Sequence, residues 1–342
     1  MFEETSTLVA TKPSSLGGSA SSSQTLDTNV ILGIYCTLLA LNAHGADRVS
    51  PLSAALPARV KVLSVLPSGS KSGDEGRRMM EGSFESETLF YHYSPSNVPK
   101  PLAWGCWQSD PDMWFYLSHF HDMVDKVPEP QEFVSVIAQI HKDSMGNSPT
   151  GKYGFQVSTH LAYIPNDNTW QTSWEVWFTQ AMRQMFTVEE KAHGKDENLE
   201  LLKEALYAKV IPRLLRPLET GANSIQPTLI HSDLWPGNCM TDKNTGHIMV
   251  FDSCAFWGHN EADLGSWRAL RYKMGRPFFN EYQKKMGVSE PKADWDDRNA
   301  LYALRYDLLV SALFAKDGTF REMAVAEMQR LVDKYPRGYE GE

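Results

Sequence analysis

Between Leu229 and Asp252 the chain reads Leu229-Ile230-His231-Ser232-Asp233-Leu234-Trp235-Pro236-Gly237-Asn238, then Ile248-Met249-Val250-Phe251-Asp252. An Asp is followed five residues later by an Asn, and fourteen residues beyond that by a second Asp that closes an apolar run. That run reads as a strand and Pro236-Gly237 as a turn. The residue types suit phosphoryl transfer, in which a protein chiefly positions an acceptor hydroxyl and holds Mg²⁺ on the phosphates. A carboxylate at Asp233 can take the proton of the attacking hydroxyl. Asn238 and Asp252 supply the oxygens that a hard cation such as Mg²⁺ prefers. The His-x-Asp-x4-Asn piece taken alone reads equally well as a turn between buried strands with local Asp and Asn caps. A second Asp at the end of a strand turns the reading toward a catalytic segment.

With 342 residues the chain can hold two lobes, each with its own core. A formal charge of −9 argues against nucleic acid or an anionic membrane as the main partner. Cys36, Cys106, Cys239 and Cys254 are scattered with no Cys-x2-Cys pair, so neither a disulfide framework nor a zinc site is expected. Residues 29–41 form an apolar run too short to cross a bilayer, preceded by a single lysine, Lys12. A cytoplasmic protein is the resulting expectation.

The Ser/Gly-rich stretch within residues 1–27 reads as a disordered leader, because it offers little apolar surface to offset its ordering entropy. Residues 28–57 show no clean period and receive no assignment. Residues 59–66 read as a strand, 76–93 as a helix stopped by Ser94-Pro95, and 102–107 with 113–120 as a strand pair. A helix at 132–142 follows, with Phe133, Val136, Ile137 and Ile140 on one face. Further helices are expected at 173–190, 196–216, 261–274, 276–286, 295–316 and 319–334. Asp294 is read as the cap of the 295–316 helix, and Leu301, Leu304, Leu308 and Leu309 as its buried stripe. The expected organisation is an α+β chain: an N-lobe over 58–120, a helical C-lobe with the catalytic loop over 121–336, and a tail at 337–342.

These segments carry a resemblance. His-x-Asp-x4-Asn followed by a metal-binding Asp matches the spacing of the kinase signature. More narrowly, His231-Ser232-Asp233-Leu234-Trp235-Pro236-Gly237-Asn238 resembles the His-Gly-Asp-Leu-Trp-Ser-Gly-Asn of the fructosamine kinase (ketosamine 3-kinase) family, relatives of the aminoglycoside phosphotransferases. Phe251 to Leu264, with Gly258-His259-Asn260-Glu261-Ala262-Asp263-Leu264, is similar to its Gly-His-x-Glu-x-Asp/Glu-Leu stretch. Lys152-Tyr153-Gly154-Phe155, then Ile164 to Trp170 and Trp174, resemble its Phe-Gly…Pro-Gln-x-Asn-x-Trp-x3-Trp. Val98-Pro99-Lys100-Pro101 is similar to its Val-Pro-x-Pro. The resemblance implies a protein-kinase-like two-lobed fold that uses ATP and Mg²⁺. It implies Asp233 as catalytic base, His231 orienting its loop, and Asn238 and Asp252 as Mg²⁺ ligands. Tyr116, Ser118 and Phe120 would lie in the interlobe hinge that reads the adenine. Trp235 reads either as an aromatic face for the acceptor sugar or as a core residue. His259 and Glu261 are candidate substrate or loop-ordering contacts, whereas Asp263 is favoured as a helix cap and Trp170 and Trp174 as interior packing.

The N-lobe departs from the pattern. A kinase-like lobe carries a Lys on its third strand that pairs with a Glu on the next helix. About ten residues separate the 59–66 strand from the 76–93 helix, too few at roughly 3.3 Å per strand residue for a return strand and a third strand. Lys71 and Lys61 are the available lysines. Family register puts Ser83 at the Glu position, leaving Glu81, Glu85 or Glu87, of which Glu85 is preferred. A first reading is therefore an ATP-dependent kinase for a sugar hydroxyl of a ketosamine on a protein or small amine, which by the resemblance serves deglycation. A second changes the acceptor to an aminoglycoside or secondary metabolite. A third, resting on the short N-lobe, is a pseudokinase or binding module. Metalloprotease and Ser-hydrolase chemistry lack their motifs.

Overall fold

The structure, a computed structural model, describes residues 73–106, 110–221 and 224–341, together with the backbone of three short strands, Val9–Thr11, Ser23–Thr25 and Val60–Lys61. The chain divides into two units. The first takes residues 1–126, 157–165 and 240–254, and the second residues 127–156, 166–239 and 255–342.

The first unit is built on a five-stranded sheet and one long helix. Sheet order, named by first residue, is Ser23, Val9, Pro101, Trp114, Val60. Pro101–Cys106 and Trp114–His119 pair antiparallel, Trp104 opposite Tyr116 and Cys106 opposite Trp114. Their alternating aromatic and aliphatic residues present one face to the helix Asp74–Tyr93. Met79, Met80 and Phe84 of that helix pack on Trp104 and Tyr116, with the Phe84 and Tyr116 rings edge-on at 6.2 Å. Gly82 lets the helix approach residue 158, since a Cβ there would stand 2.4 Å from the Ser158 carbonyl oxygen. Asn97 ties the strand Ile248–Val250 to the end of the helix, its Nδ2 donating to the Ile248 carbonyl at 2.7 Å and its own carbonyl accepting from Val250 N.

One finding differs from the sequence expectations here. Val9–Thr11 and Ser23–Thr25 fall within the leader that composition reads as disordered, and Val9–Thr11 pairs with Pro101–Cys106. Strands can be recruited by backbone hydrogen bonds alone, which composition does not register. Of the expected 59–66 strand only Val60–Lys61 is described, paired with Trp114–His119. Residues 28–57 and Lys71 lie outside the described residues.

The second unit is helical. Expected helices appear as Pro130–Ser144, Trp174–His193, Arg276–Met286, Trp295–Leu313 and Gly318–Lys334. The 196–216 helix is interrupted: Glu197–Ala205 passes into a π-helical turn, Leu206–Val210, before Ile211–Leu215. The expected 261–274 helix is 3₁₀ over Asn260–Arg268 and Leu270–Tyr272. Trp295–Leu313 carries the four leucines inside, yet it is buried nearly all round, including the polar Arg298, Asn299 and Arg305. Its single-stripe reading underestimates it. Asp294 does not cap this helix through its side chain; its carboxylate takes Arg213 instead, at 2.6 and 3.3 Å. Trp174 is fully buried, stacked on Trp177 at 5.3 Å, while Trp170 is half-buried.

Candidate functional site

In the helical unit the strand Thr228–Ile230 pairs with Phe256–Gly258 and delivers the chain into the loop 231–238. The loop is pinned at almost every residue. Asp263, fully buried, accepts from His231 N at 2.8 Å, from Ser232 N at 2.6 Å and from His141 Nε2 at 3.1 Å. His141 in turn meets Tyr282 Oη through Nδ1 at 2.6 Å. His231 is buried and its Nδ1 accepts from Asp233 N at 3.3 Å. The Leu234 carbonyl accepts from Ser266 Oγ and Trp267 Nε1. Held this way, the half-buried Asp233 presents its carboxylate with one oxygen anchored: Asn238 Nδ2 donates to Asp233 Oδ2 and to its carbonyl, both at 2.9 Å. Amide geometry then puts Asn238 Oδ1 on the side away from Asp233.

Ser232 has φ 65°, a left-handed conformation that costs a serine about 1 kcal/mol or more. The family pattern has Gly here, which adopts this conformation freely. Trp235 is 37% exposed beside Tyr272, ring centroids 5.5 Å apart, so it is not a core residue. Gly237 makes room for it, because a Cβ there would lie 2.4 Å from the indole. An exposed aromatic face next to Asp233 suits the C–H surface of a sugar. Trp235→Ala is expected to raise the acceptor KM about tenfold with little change in the KM for ATP, checked by steady-state kinetics.

The structure places His259 and Glu261 in the interior, each engaged by later parts of the chain. His259 is fully buried between Tyr302 Oη and Ser289 Oγ, each at 2.9 Å, and Glu261 accepts from Ser289 N at 2.8 Å and Arg298 Nε at 3.0 Å. Burial, with Arg298 and His141 nearby, lowers the His259 pKa well below its ordinary value. Because the folded state keeps this ring neutral and the unfolded chain protonates it below about pH 6.5, stability falls as pH drops through that value. His259→Gln should flatten that acid limb, as read from thermal unfolding at pH 5.5 and 7.5.

In the sheet-bearing unit, Ile248–Val250 leads to Asp252, which is solvent-exposed and left-handed with φ 61°. Glu87, 3% exposed on the helix Asp74–Tyr93, accepts from Ser253 N at 2.7 Å and Ser253 Oγ at 2.8 Å. Burial, reinforced by the Asp252 charge, pushes its carboxyl up to about 7. Glu87 is thus a helix carboxylate that engages the Asp252 segment, whereas the expected pairing of Glu85 with Lys71 or Lys61 involves lysine side chains outside the described residues. Tyr116 and Ser118 are ladder residues: Tyr116 pairs with Trp104 and sends its ring into the core, and Ser118 pairs with Pro101 and Lys61. Phe120 lies just beyond the strand's end. Among the described residues no group of three or more His, Cys, Asp or Glu side chains could hold a metal, and no helix is long and apolar enough to cross a membrane. Cys106, Cys239 and Cys254 form no disulfide among the described residues.

Asp263, His141 and Arg305 were not singled out as loop supports by sequence reasoning. Asp263 was read only as a helix cap, and the partners that reveal its role lie over a hundred residues away in the case of His141.

A family model for fructosamine kinase matches residues 72–334. The chloroplastic protein-ribulosamine 3-kinase of Arabidopsis thaliana is 28% identical over 266 residues, covering 77% of this chain and 73% of that one. The ketosamine-3-kinase of Mus musculus is 31% identical over 250 residues, covering 67% and 76%. Among solved structures, the aminoglycoside phosphotransferase APH(4)-Ia aligns with a TM-score of 0.51 at 15% identity, over 82% of this chain and 95% of that one. The fold is therefore protein-kinase-like, and the chain belongs to the fructosamine kinase family, whose members are phosphotransferases with a hydroxyl acceptor.

Proposed function

We propose that this protein transfers the γ-phosphoryl group of ATP to a sugar hydroxyl of a ketosamine, an adduct carried by a protein lysine or a small amine, with deglycation as the outcome. The observation that carries the reading is the Asp233 carboxylate, fixed by Asn238 and by the pinned loop beside an exposed indole. In the step, the acceptor hydroxyl gives its proton to Asp233 as its oxygen bonds to the γ-phosphorus. The bond from that phosphorus to the β–γ bridging oxygen breaks, and ADP leaves. Asn238 and Asp252 are the side chains that would hold Mg²⁺. Both are oxygen donors, and two protein ligands suffice where phosphate oxygens and water complete the shell. The ion would neutralise phosphate charge. Glu87 holds the backbone that follows Asp252.

The names of the plant and mouse relatives favour a ketosamine over an aminoglycoside acceptor. The test offers ribulosamine, fructosamine and aminoglycoside acceptors to the full chain with Mg-ATP and follows the products by mass spectrometry. Phosphorylated ribulosamine or fructosamine supports the reading, and turnover of an aminoglycoside alone overturns it.

A further inference from the structure

Ser232 and Asn166, distant in the sequence, meet on one side chain. Arg305, from the middle of the helix Trp295–Leu313, donates through Nη1 to Ser232 Oγ at 2.7 Å and through Nη2 to Asn166 Oδ1 at 2.7 Å. It is 3% exposed, and its guanidinium carbon lies 5.5 Å from the Phe256 ring centroid and 5.7 Å from that of Tyr306. Both acceptors are neutral, and Nε has no hydrogen-bond partner among the described residues. Burying a guanidinium is expensive, so its fork must be matched by well-aimed acceptors. One of those acceptors is the hydroxyl of a residue in a left-handed conformation, immediately before Asp233. Such a backbone persists in a non-glycine residue only where its surroundings over-determine it. Asp263 holds the Ser232 amide and Arg305 holds its side chain, so the turn is fixed from both sides.

We propose that Arg305 is a positioning residue: by gripping Ser232 Oγ it sets the backbone one residue before Asp233 and so aims the catalytic carboxylate. Asn166 anchors the other arm of the fork to a segment whose Asn168 carbonyl accepts from Phe155 N at 3.0 Å. The assignment rests on Asp233 being the base. Its consequence is that serine at 232 and arginine at 305 are coupled: a glycine at 232 would reach the same turn without help, a serine would not.

The full chain is assayed with Mg-ATP and a ribulosamine for Arg305→Met, Ser232→Ala, Ser232→Gly and the Arg305→Met/Ser232→Gly double variant. Amide hydrogen exchange over residues 229–238 is measured on the same proteins. Arg305→Met is expected to lower kcat about a hundredfold, as a misaimed reacting group does, with the KM for ATP changed less than about twofold. Ser232→Ala should lose at least as much, because it keeps the strained backbone without the acceptor. In the Ser232→Gly background, removing Arg305 should cost less than about threefold more. Exchange across the loop should quicken in Arg305→Met and change little between Ser232→Gly and the double variant. Independent, multiplying effects of the two substitutions would overturn the assignment. So would an Arg305→Met enzyme that melts earlier but keeps the wild-type kcat per folded molecule. Should Arg305→Met not fold, Arg305→Lys, which keeps the charge and loses the fork, decides by the same kcat-against-KM split. A wild type that phosphorylates no ketosamine sinks the kinase reading, and the exchange data then decide alone: an unchanged loop in Arg305→Met overturns the inference.

Discussion

Asp233→Asn is expected to lower kcat for phosphoryl transfer about a thousandfold while leaving the KM for ATP within about twofold. The amide has nearly the shape of the carboxylate and can still meet Asn238, so the loop keeps its outline. What it lacks is the capacity to take a proton from the acceptor hydroxyl. General-base contributions of this kind are worth roughly 10²–10⁴ in rate. Around Asp233, the side chains of His231, Asp263 and Arg305 hold backbone and hydroxyl groups of the loop. A variant that retained a tenth of the wild-type rate would show that Asp233 is not the base.

Asp263→Ala is expected to be the most damaging substitution for stability. Its carboxylate is the common acceptor for two loop amides and a buried histidine. Truncation strands those donors away from water, and each buried donor left without a partner costs about 1–3 kcal/mol. A loss of about 4 kcal/mol overall corresponds to a fall in Tm of roughly 10 °C for a unit of this size. Asp263→Asn should fall between, since its single oxygen can serve only some of the three. Calorimetric unfolding checks the order, and an Asp263→Ala protein melting within a degree or two of wild type would contradict it.

Much of this was readable from local pattern. The Asp74–Tyr93, Pro130–Ser144 and Trp174–His193 helices follow their apolar periodicity and stop signals, and their ends fall within a few residues of expectation. The Asp233, Asn238, Asp252 spacing drew attention because metal and base chemistry restrict residue type tightly. Partnership was not legible. That Glu87 reaches Ser253 is visible only in the packing of its helix. His259 and Glu261 look like site residues by type, yet both are absorbed by Ser289, Arg298 and Tyr302 from later elements. Asp294 carries a cap residue's identity but answers to Arg213, a tertiary partner that outcompetes a local one. The strand Val9–Thr11 was missed because its stabilisation comes from backbone pairing with Pro101–Cys106. One clue to the Arg305 contact did stand in the sequence: a serine in a position where the family pattern keeps glycine.

The proposed function requires that Asn238 and Asp252 each contribute to the binding of magnesium-ATP. Titration calorimetry of the full chain with ATP, in the presence and absence of Mg²⁺, tests that most directly when wild type is set beside Asn238→Ala and Asp252→Ala. The account predicts that wild type binds ATP at least about tenfold more tightly with Mg²⁺ than without, and that either substitution removes most of this gain. Mg²⁺-independent binding in the wild type, or an undiminished Mg²⁺ effect in both variants, would contradict it.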